Sequence, residues 1–286
     1  MKSAILKTFT LLSISLLFAC TSTEDKVNDL LQRHMDSFVF VEGGAFMMGN
    51  PGGWSVRSDT IPAHKVTLDS FSIQKYEVTQ GDMDLFLEVT GHVTVDIDFY
   101  NMMREDYPNR FVAELPAIGT WYDAKAYCQW LGNLSDKPID LPTEAQWEYA
   151  ARSRGEMVRF ATDTGKAEAG VNMAKKPELG IMDFSALPQP PGSFPPNPLG
   201  LYDMSGNAAE WVQDFYQPDY YQHSPIHNPQ GPKTGKKSPS PTKVYQQTIA
   251  RGGRYLDFWG NTTVSKLNNS RGLFWLDSGF RCAIIK

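Results

Sequence analysis

The second half of the chain is rich in residues that interrupt regular secondary structure. From about residue 156 onward, proline, glycine and asparagine are mixed with aromatic side chains, and LPQPPGSFPPNP and NPQGPKTGKKSPSPTK are typical of loops. Such a segment rarely forms long helices, yet its aromatic residues supply apolar area for a core. The sequence therefore predicts irregular, loop-rich β structure over this half.

Helical patterns are concentrated in the first half of the domain. Thr79 is placed to cap a helix over TQGDMDLFLEVTG, with Asp82 reaching back to complete a capping box and Gly91 at its end. Further helices are predicted over TWYDAKAYCQWLG, where Cys128 faces the core, and over LPTEAQWEYAARSRG. Alternating apolar residues in HKVTLDSFSIQ predict strands. The fold class expected is α+β with little regular secondary structure.

The first twenty residues, MKSAILKTFTLLSISLLFAC, have the pattern of an export signal. Two lysines precede an apolar run over residues 8–19, which is too short to span a bilayer as a helix. The run ends in LFAC, which resembles the bacterial lipobox, so we expect residues 1–19 to be a signal peptide and Cys20 to be lipidated. A plain signal peptide with a chance cysteine is the alternative. The expected location is the bacterial cell envelope, lipid-anchored at the periplasmic face or at the surface of the outer membrane.

The rest of the chain is expected to form one domain behind a tether. Residues 20–37 are mostly polar and predict a tether, with a short helix at most, while residues 38–286 predict a single folded unit. The formal net charge is -5 and no basic run is present. Nucleic acid is therefore not an expected partner. Membrane contact is expected through the lipid anchor alone.

Two cysteines remain once Cys20 is assigned to lipid. In an exported, oxidising setting, Cys128 and Cys282 are more often a disulfide than two free thiols. The alternative is a reactive thiol, which needs exposure and a lowered pKa.

Seven stretches, in order along residues 38–286, resemble the formylglycine-generating enzyme (sulfatase-modifying factor) family. They are VEGGAFMMGN, SFSIQKYEVTQGDMDLFL, YDAKAYCQWLG, LPTEAQWEYAAR, NPLGLYDMSGNAAEWVQDFY, ARGGRYLD and SGFRCA. The resemblance implies an irregular fold similar to a C-type lectin, one or two calcium ions, and a disulfide between Cys128 and Cys282.

Calcium is the cofactor that the resemblance implies. In SGNAAEW, Asn207 and Glu210 offer the hard oxygen ligands that calcium takes. The alternative is a polar turn closed by side-chain hydrogen bonds. A further site would use Asn172 and, downstream, Asp183, although their spacing departs from the family pattern.

The catalytic members of the family oxidise a cysteine in a C-x-P-x-R peptide, using two cysteines after the RGG motif that bind copper. Here the segment after Arg251 contains Asp257 and Thr262 at about those positions and no cysteine before Cys282. Oxygen ligands do not suit Cu(I), which prefers thiolates. Copper and formylglycine generation are therefore not expected, and no catalytic residue is assigned.

Three kinds of function remain open: the two described next, and simple glycan binding as in true C-type lectins. The first is a non-catalytic envelope scaffold that binds a protein partner or a glycan through aromatic loops, with candidate contacts at Tyr220, Tyr221, Trp259, Phe274 and Trp275. The stretch RGGRYLDFW also resembles lipoproteins of the gliding-motility and type IX secretion machinery. The second is an oxidoreductase or protein-modifying enzyme with non-cysteine ligands.

An iron site for that second function would need two histidines and a carboxylate. His223 and His227 lie four residues apart, but Pro225 and Pro229 exclude a helical metal-binding face.

Overall fold

The computed structural model describes residues 22–55, 57–175, 187–237, 245–256, 260–269 and 277–285. The α-helices within these ranges are α1 Thr23–Asp36, α2 Gln80–Thr90, α3 Ile97–Asp106, α4 Trp121–Ser135 and α5 Glu144–Ala151. The strands are β1 Phe38–Val41, β2 Gly44–Met48, β3 His64–Leu68, β4 Phe71–Gln74, β5 Ile139–Asp140, β6 Ala209–Phe215, β7 Thr248–Arg251, β8 Lys266–Asn269, β9 Ser278–Gly279 and β10 Ala283–Ile284. The mixture of helix and sheet with modest regular structure agrees with the predicted fold class.

The strands form two sheets of four strands and one separate pair. The sheet orders are β1-β4-β10-β5 and β8-β7-β6-β9, and β2 pairs with β3. Pairing is antiparallel except between β6 and β9. Ala283 lies opposite both Ile73 and Asp140, so the last strand is inserted between β4 and β5 and completes the first sheet.

Helix α2 begins and ends at the residues that the sequence pattern predicts. The Thr79 hydroxyl accepts the Asp82 N–H at 3.3 Å, and Gly91 ends α2 in the left-handed region at φ 65°. The predicted hydrogen bond from the Asp82 side chain back to the start of α2 is wrong. The Asp82 carboxylate instead accepts a hydrogen bond from Arg33 at 2.8 Å and lies 3.3 Å from His34 Nε2, both in α1. A distant helix thus replaces the local cap.

The expected tether of residues 20–37 is for the most part a helix packed on the domain. Ser22 caps α1 through a hydrogen bond from the Asp25 N–H at 3.1 Å. Leu30 is fully buried in the same apolar cluster as Phe86 of α2 and Tyr127 of α4. The folded unit therefore begins at α1, and the domain boundary expected at residue 38 lies too late.

A disulfide joins α4 to the last strand. Cys128 and Cys282 are fully buried, with their Cα atoms 5.6 Å apart across a sequence separation of 154 residues. Gln74 of β4 fixes the second cysteine from both sides: its side-chain Oε1 accepts the Cys282 N–H at 2.8 Å, and its own N–H donates to the Cys282 carbonyl at 3.0 Å. Cys282 therefore has a structural position in the core.

None of the helices in the described ranges is long and apolar enough to span a membrane. The proposed signal peptide and Cys20 lie outside the described residues.

Candidate functional site

The SGNAAEW segment lies beside residues 251–256 of the RGG motif segment. The Gly206 N–H donates to the Gly252 carbonyl at 2.9 Å, and the Tyr255 N–H donates to the Asn207 carbonyl at 2.8 Å. Glu210 and Arg251 are opposite one another in the β6–β7 register. Two stretches about 45 residues apart in sequence therefore form one polar centre, which we call the motif centre and which extends to Glu210 and its partners.

Asn207 has every polar atom of its side chain engaged. Its Nδ2 donates to Glu77 Oε2 at 2.6 Å and to the Gln189 carbonyl at 3.1 Å, and its Oδ1 accepts the Gln189 N–H at 2.9 Å. The backbone holds φ at 59°, a conformation that asparagine tolerates better than most residues. The side chain closes a polar turn, which was the alternative to a calcium ligand.

Glu210 is held by a fully buried guanidinium. Arg281 donates from Nη2 to Oε1 and from Nε to Oε2, both at 2.7 Å, and Trp147 Nε1 also donates to Oε2 at 2.8 Å. A two-point pair of this kind is the strongest form of carboxylate recognition by arginine. In this arrangement Asn207 and Glu210 do not offer their oxygens to one ion, so they do not fit the expected calcium site.

Two further acids of the motif centre were missed from the sequence. Glu77 accepts the Ala208 N–H at 3.0 Å, and Asp203 accepts the Gly192 N–H at 2.6 Å. Burial, together with the negative charge of Asp203, raises the pKa of Glu77 well above its usual range. Burial also raises the pKa of Asp203 to about 6. The YEVT and YDMSG stretches contributed to the family resemblance, but the sequence did not indicate that Glu77 and Asp203 would lie close together.

The second predicted metal ligand closes a turn. Asn172 Nδ2 donates to Asp163 Oδ1 at 2.8 Å and to the Lys166 carbonyl at 3.1 Å, while its Oδ1 accepts the Glu168 N–H at 2.8 Å. Its proposed partner Asp183 lies outside the described residues. Across the described part of the chain, no three His, Cys, Asp or Glu side chains gather as metal ligands.

The described position of the missing catalytic pair is buried and has no thiol. Thr262 is only 1% exposed, and the neighbouring Asn261 accepts the Arg254 N–H at 2.9 Å through its side chain. Gly253, at φ 76°, packs so closely on Asn261 that a Cβ there would collide with the amide. The turn is therefore held by an asparagine and a glycine. Asp257 lies outside the described residues.

The arginine of the RGG motif anchors α5. Arg251 pairs with Glu144 at 3.1 Å and with Glu148 at 2.6 Å, and all three side chains are buried. Arg152 and Lys266 add contacts of 2.8 Å to Glu148 and 3.0 Å to Glu144. This network places charged residues in the core with ionic partners, as burial requires.

The five histidines are dispersed. His34 contacts Gln74 and Tyr127 at 2.7 and 2.8 Å, and His92 contacts Asp123 at 2.8 Å. His64 is the first residue of β3, and His223 and His227 lie in the 223–227 loop. These positions do not form the iron site that the enzyme hypothesis would need.

The aromatic contact residues are only partly described. Tyr220 and Tyr221 are buried, and the Tyr221 hydroxyl donates to Glu144 at 3.0 Å, so the prediction that they face a partner is wrong. Trp259, Phe274 and Trp275 lie outside the described residues. A cavity of about 570 Å³ lies between α1, the start of α2 and Pro190–Pro191.

These features define a disulfide-linked domain of mixed helix and sheet whose motif segments meet in a buried polar centre. Residues 24–286 match the family described as sulfatase-modifying factor enzyme 1-like domain. The chain belongs to this FGE-sulfatase family.

Proteins with different named functions share this similarity. The chain is 31% identical over 265 residues to the serine/threonine-protein kinase pkn1 of Chlamydia pneumoniae. The aligned region covers 87% of this chain and 38% of that relative. It therefore spans less than half the length of that protein. It is 29% identical over 296 residues to the formylglycine-generating enzyme of Streptomyces coelicolor, covering 86% of this chain and 88% of the enzyme.

A solved structure has the same fold. PvdO from Pseudomonas aeruginosa superposes with a TM-score of 0.66 at 26% identity, covering 86% of this chain and 93% of PvdO. The fold and the family thus agree, while the names of the relatives indicate different functions.

Proposed function

We propose that this protein is a lipid-anchored envelope scaffold whose FGE-sulfatase domain binds a partner and does not generate formylglycine. The observation that supports this most strongly is the state of the cysteines. Cys128 and Cys282 are joined in the core, and no cysteine lies in the segment where the catalytic pair would be. A thiolate copper site needs two thiols that this domain does not offer.

The short connection between Cys20 and α1 would hold the domain close to the membrane. Only Thr21 and Ser22 separate the proposed lipidated cysteine from the first helical residue. Two extended residues span about 7 Å. A scaffold on such a connection works next to the lipid surface, which suits a structural part of an envelope assembly. The gliding-motility and type IX secretion machinery is the setting that RGGRYLDFW suggests.

The cavity of about 570 Å³ is the recess that we assign to a partner. Its walls include Arg33 of α1, Tyr76 and Pro191, and its volume falls in the range of about 300–1,000 Å³ found for ligand sites. Tyr76 stacks on Tyr202 with ring centroids 4.8 Å apart, so this aromatic surface is already positioned.

Thiol and metal analysis tests the proposal against the oxidoreductase alternative. The soluble form from residue 21, purified without reductant, is expected to give no free thiol after denaturation and no stoichiometric copper or iron. The formylglycine-generating enzyme of Streptomyces coelicolor, prepared in parallel, is the comparison protein. Two free thiols, or a redox metal at one per chain, would favour the enzyme alternative and overturn the scaffold role.

A further inference from the structure

A second cavity, of about 290 Å³, lies near the start of α5, and its lining does not include Asn207, Glu210 or Arg251 of the motif centre. Its polar lining consists of Asp69, Ser70, Thr143, Gln146, Asn228 and Gln230. These side chains carry one carboxylate, two hydroxyls and three amides, and none of the described residues that line the cavity is a lysine or arginine. Leu68 and Ile285 supply apolar surface.

One side of this cavity is fixed by backbone pairing. The segment before Asn228 extends the edge of β3: the Thr67 N–H donates to the Ile226 carbonyl at 2.7 Å, and the Asn228 N–H donates to the Thr67 carbonyl at 2.9 Å. Asn228 then turns away at φ 44°. Its side chain is therefore presented from an anchored turn.

Asp69 and Asn228 bind one another reciprocally. The Asp69 N–H donates to Asn228 Oδ1 at 2.9 Å, and Asn228 Nδ2 donates to Asp69 Oδ2 at 2.8 Å. The pair leaves Asp69 Oδ1 and the second Asn228 N–H with bonding capacity. His227 Nε2 is 3.7 Å from Asp69 Oδ1, which is beyond hydrogen-bond length. An acceptor and a donor are thus held next to each other before a ligand arrives.

Three other lining residues add donors that are likewise oriented by the fold. The Thr143 hydroxyl accepts the Gln146 N–H at 3.1 Å, and Gln146 Oε1 accepts the Thr143 N–H at 2.9 Å. Ser70 Oγ accepts the Gly43 N–H at 3.0 Å. Each hydroxyl keeps its own proton to donate, and the Gln146 amide keeps its N–H groups.

We propose that this cavity is a calcium-independent subsite for one neutral sugar ring of a glycan. Alternating donors and acceptors match the adjacent hydroxyls of a sugar, and Leu68 and Ile285 can pack on its C–H face. The described part of the lining has no lysine or arginine, the groups through which proteins bind phosphorylated or sulfated ligands. The proposal names a partner class for the scaffold role and rests on it.

Binding is tested with the soluble form from residue 21 on an array of neutral, sulfated and sialylated glycans, with and without EDTA. Saturation-transfer NMR with free glucose, galactose, mannose and N-acetylglucosamine follows. We expect neutral glycans to be retained and at least one monosaccharide to show saturation transfer. The thiol and metal analysis is independent of these signals, so failure of the subsite and failure of the scaffold role give different results.

Two aspartate variants locate the binding. Asp69→Ala removes the acceptor and is expected to weaken neutral-glycan binding about tenfold or more, the order expected for a hydrogen bond to a charged group. Asp106→Ala, at the exposed end of α3, is the control and should bind like the unmodified protein. The proposal is overturned if no neutral glycan binds, if EDTA abolishes binding, if anionic glycans are preferred, or if Asp69→Ala binds normally.

Discussion

Glu210 and Arg281 form a fully buried ion pair with two contacts of 2.7 Å, one to each carboxylate oxygen. The arginine also donates to the carbonyls of Gln74, Lys75 and Tyr202. One guanidinium therefore connects β6 to the end of β4 and to the YDMSG loop. The same contact explains why Glu210 has a structural role here.

Removing the carboxylate should destabilise the fold strongly. Glu210→Ala leaves a buried guanidinium without its anion, and such a change costs about 3–5 kcal/mol of unfolding free energy. Urea denaturation at neutral pH measures it. The exposed pair of Glu42 and Arg154, at 2.7 Å, provides the control, since Glu42→Ala should cost about 0–1 kcal/mol. Equal effects of the two variants would contradict the structural role of Glu210.

Loss of the disulfide should lower stability without changing the fold. The paired change Cys128→Ala and Cys282→Ala removes a constraint that typically contributes about 2–4 kcal/mol. The unfolding free energy measured by urea denaturation is expected to fall by that amount, and reductant should no longer affect it. A reductant effect that persists in the double variant would show that the stabilising bond lies elsewhere.

Leu30→Ala tests whether α1 belongs to the domain. A fully buried leucine contributes about 2–5 kcal/mol, whereas a residue in a mobile tether contributes almost nothing. Asn28→Ala, on the exposed side of the same helix, is the matched control. Urea unfolding that is unchanged in both variants would restore the tether interpretation.

Asp214 should make stability depend on pH. Burial, followed by the charge of Glu144, raises its pKa from 3.8 to about 7. The folded state therefore keeps a proton that the unfolded state releases, so this residue's contribution to stability is full below about pH 4 and falls as pH rises to about 7. Asp214→Asn retains an acceptor for the Glu144 N–H, now bonded to Asp214 Oδ2 at 2.7 Å.

The measurement is the unfolding free energy of both proteins across that pH range. The stability of Asp214→Asn is expected to fall less with rising pH, because the variant lacks the contribution of the Asp214 proton. The plots of unfolding free energy against pH for the two proteins should therefore diverge as pH rises. Parallel curves would show that Asp214 does not retain the proton.

Features set by neighbouring residues could be predicted from the sequence. Thr79 and Thr143 cap helices through contacts three residues away, and alternation identified Val66 and Ile73 as buried strand residues. The α1 boundary could not be predicted in this way, because Leu30 is buried in a cluster with Phe86 of α2 and Tyr127 of α4, both more than fifty residues further on.

The chemistry of the motif centre depended on distant contacts. Asn207 meets Glu77 across 130 positions, and Glu210 meets Arg281 across 71. The sequence contained residue types that can bind metal, but it did not reveal the side chains and backbone groups that bond to their polar atoms in the fold. The cysteine pattern was more informative, because the absence of cysteine between Arg251 and Cys282 does not depend on folding.

The most direct test of the central claim is conversion of a C-x-P-x-R peptide. The soluble form from residue 21 is incubated with copper, reductant and oxygen, and the peptide is analysed by mass spectrometry beside the Streptomyces coelicolor enzyme. The scaffold role predicts an unchanged cysteine in the peptide while the comparison enzyme produces formylglycine. Formylglycine produced by this protein at a rate above the protein-free control would contradict the account.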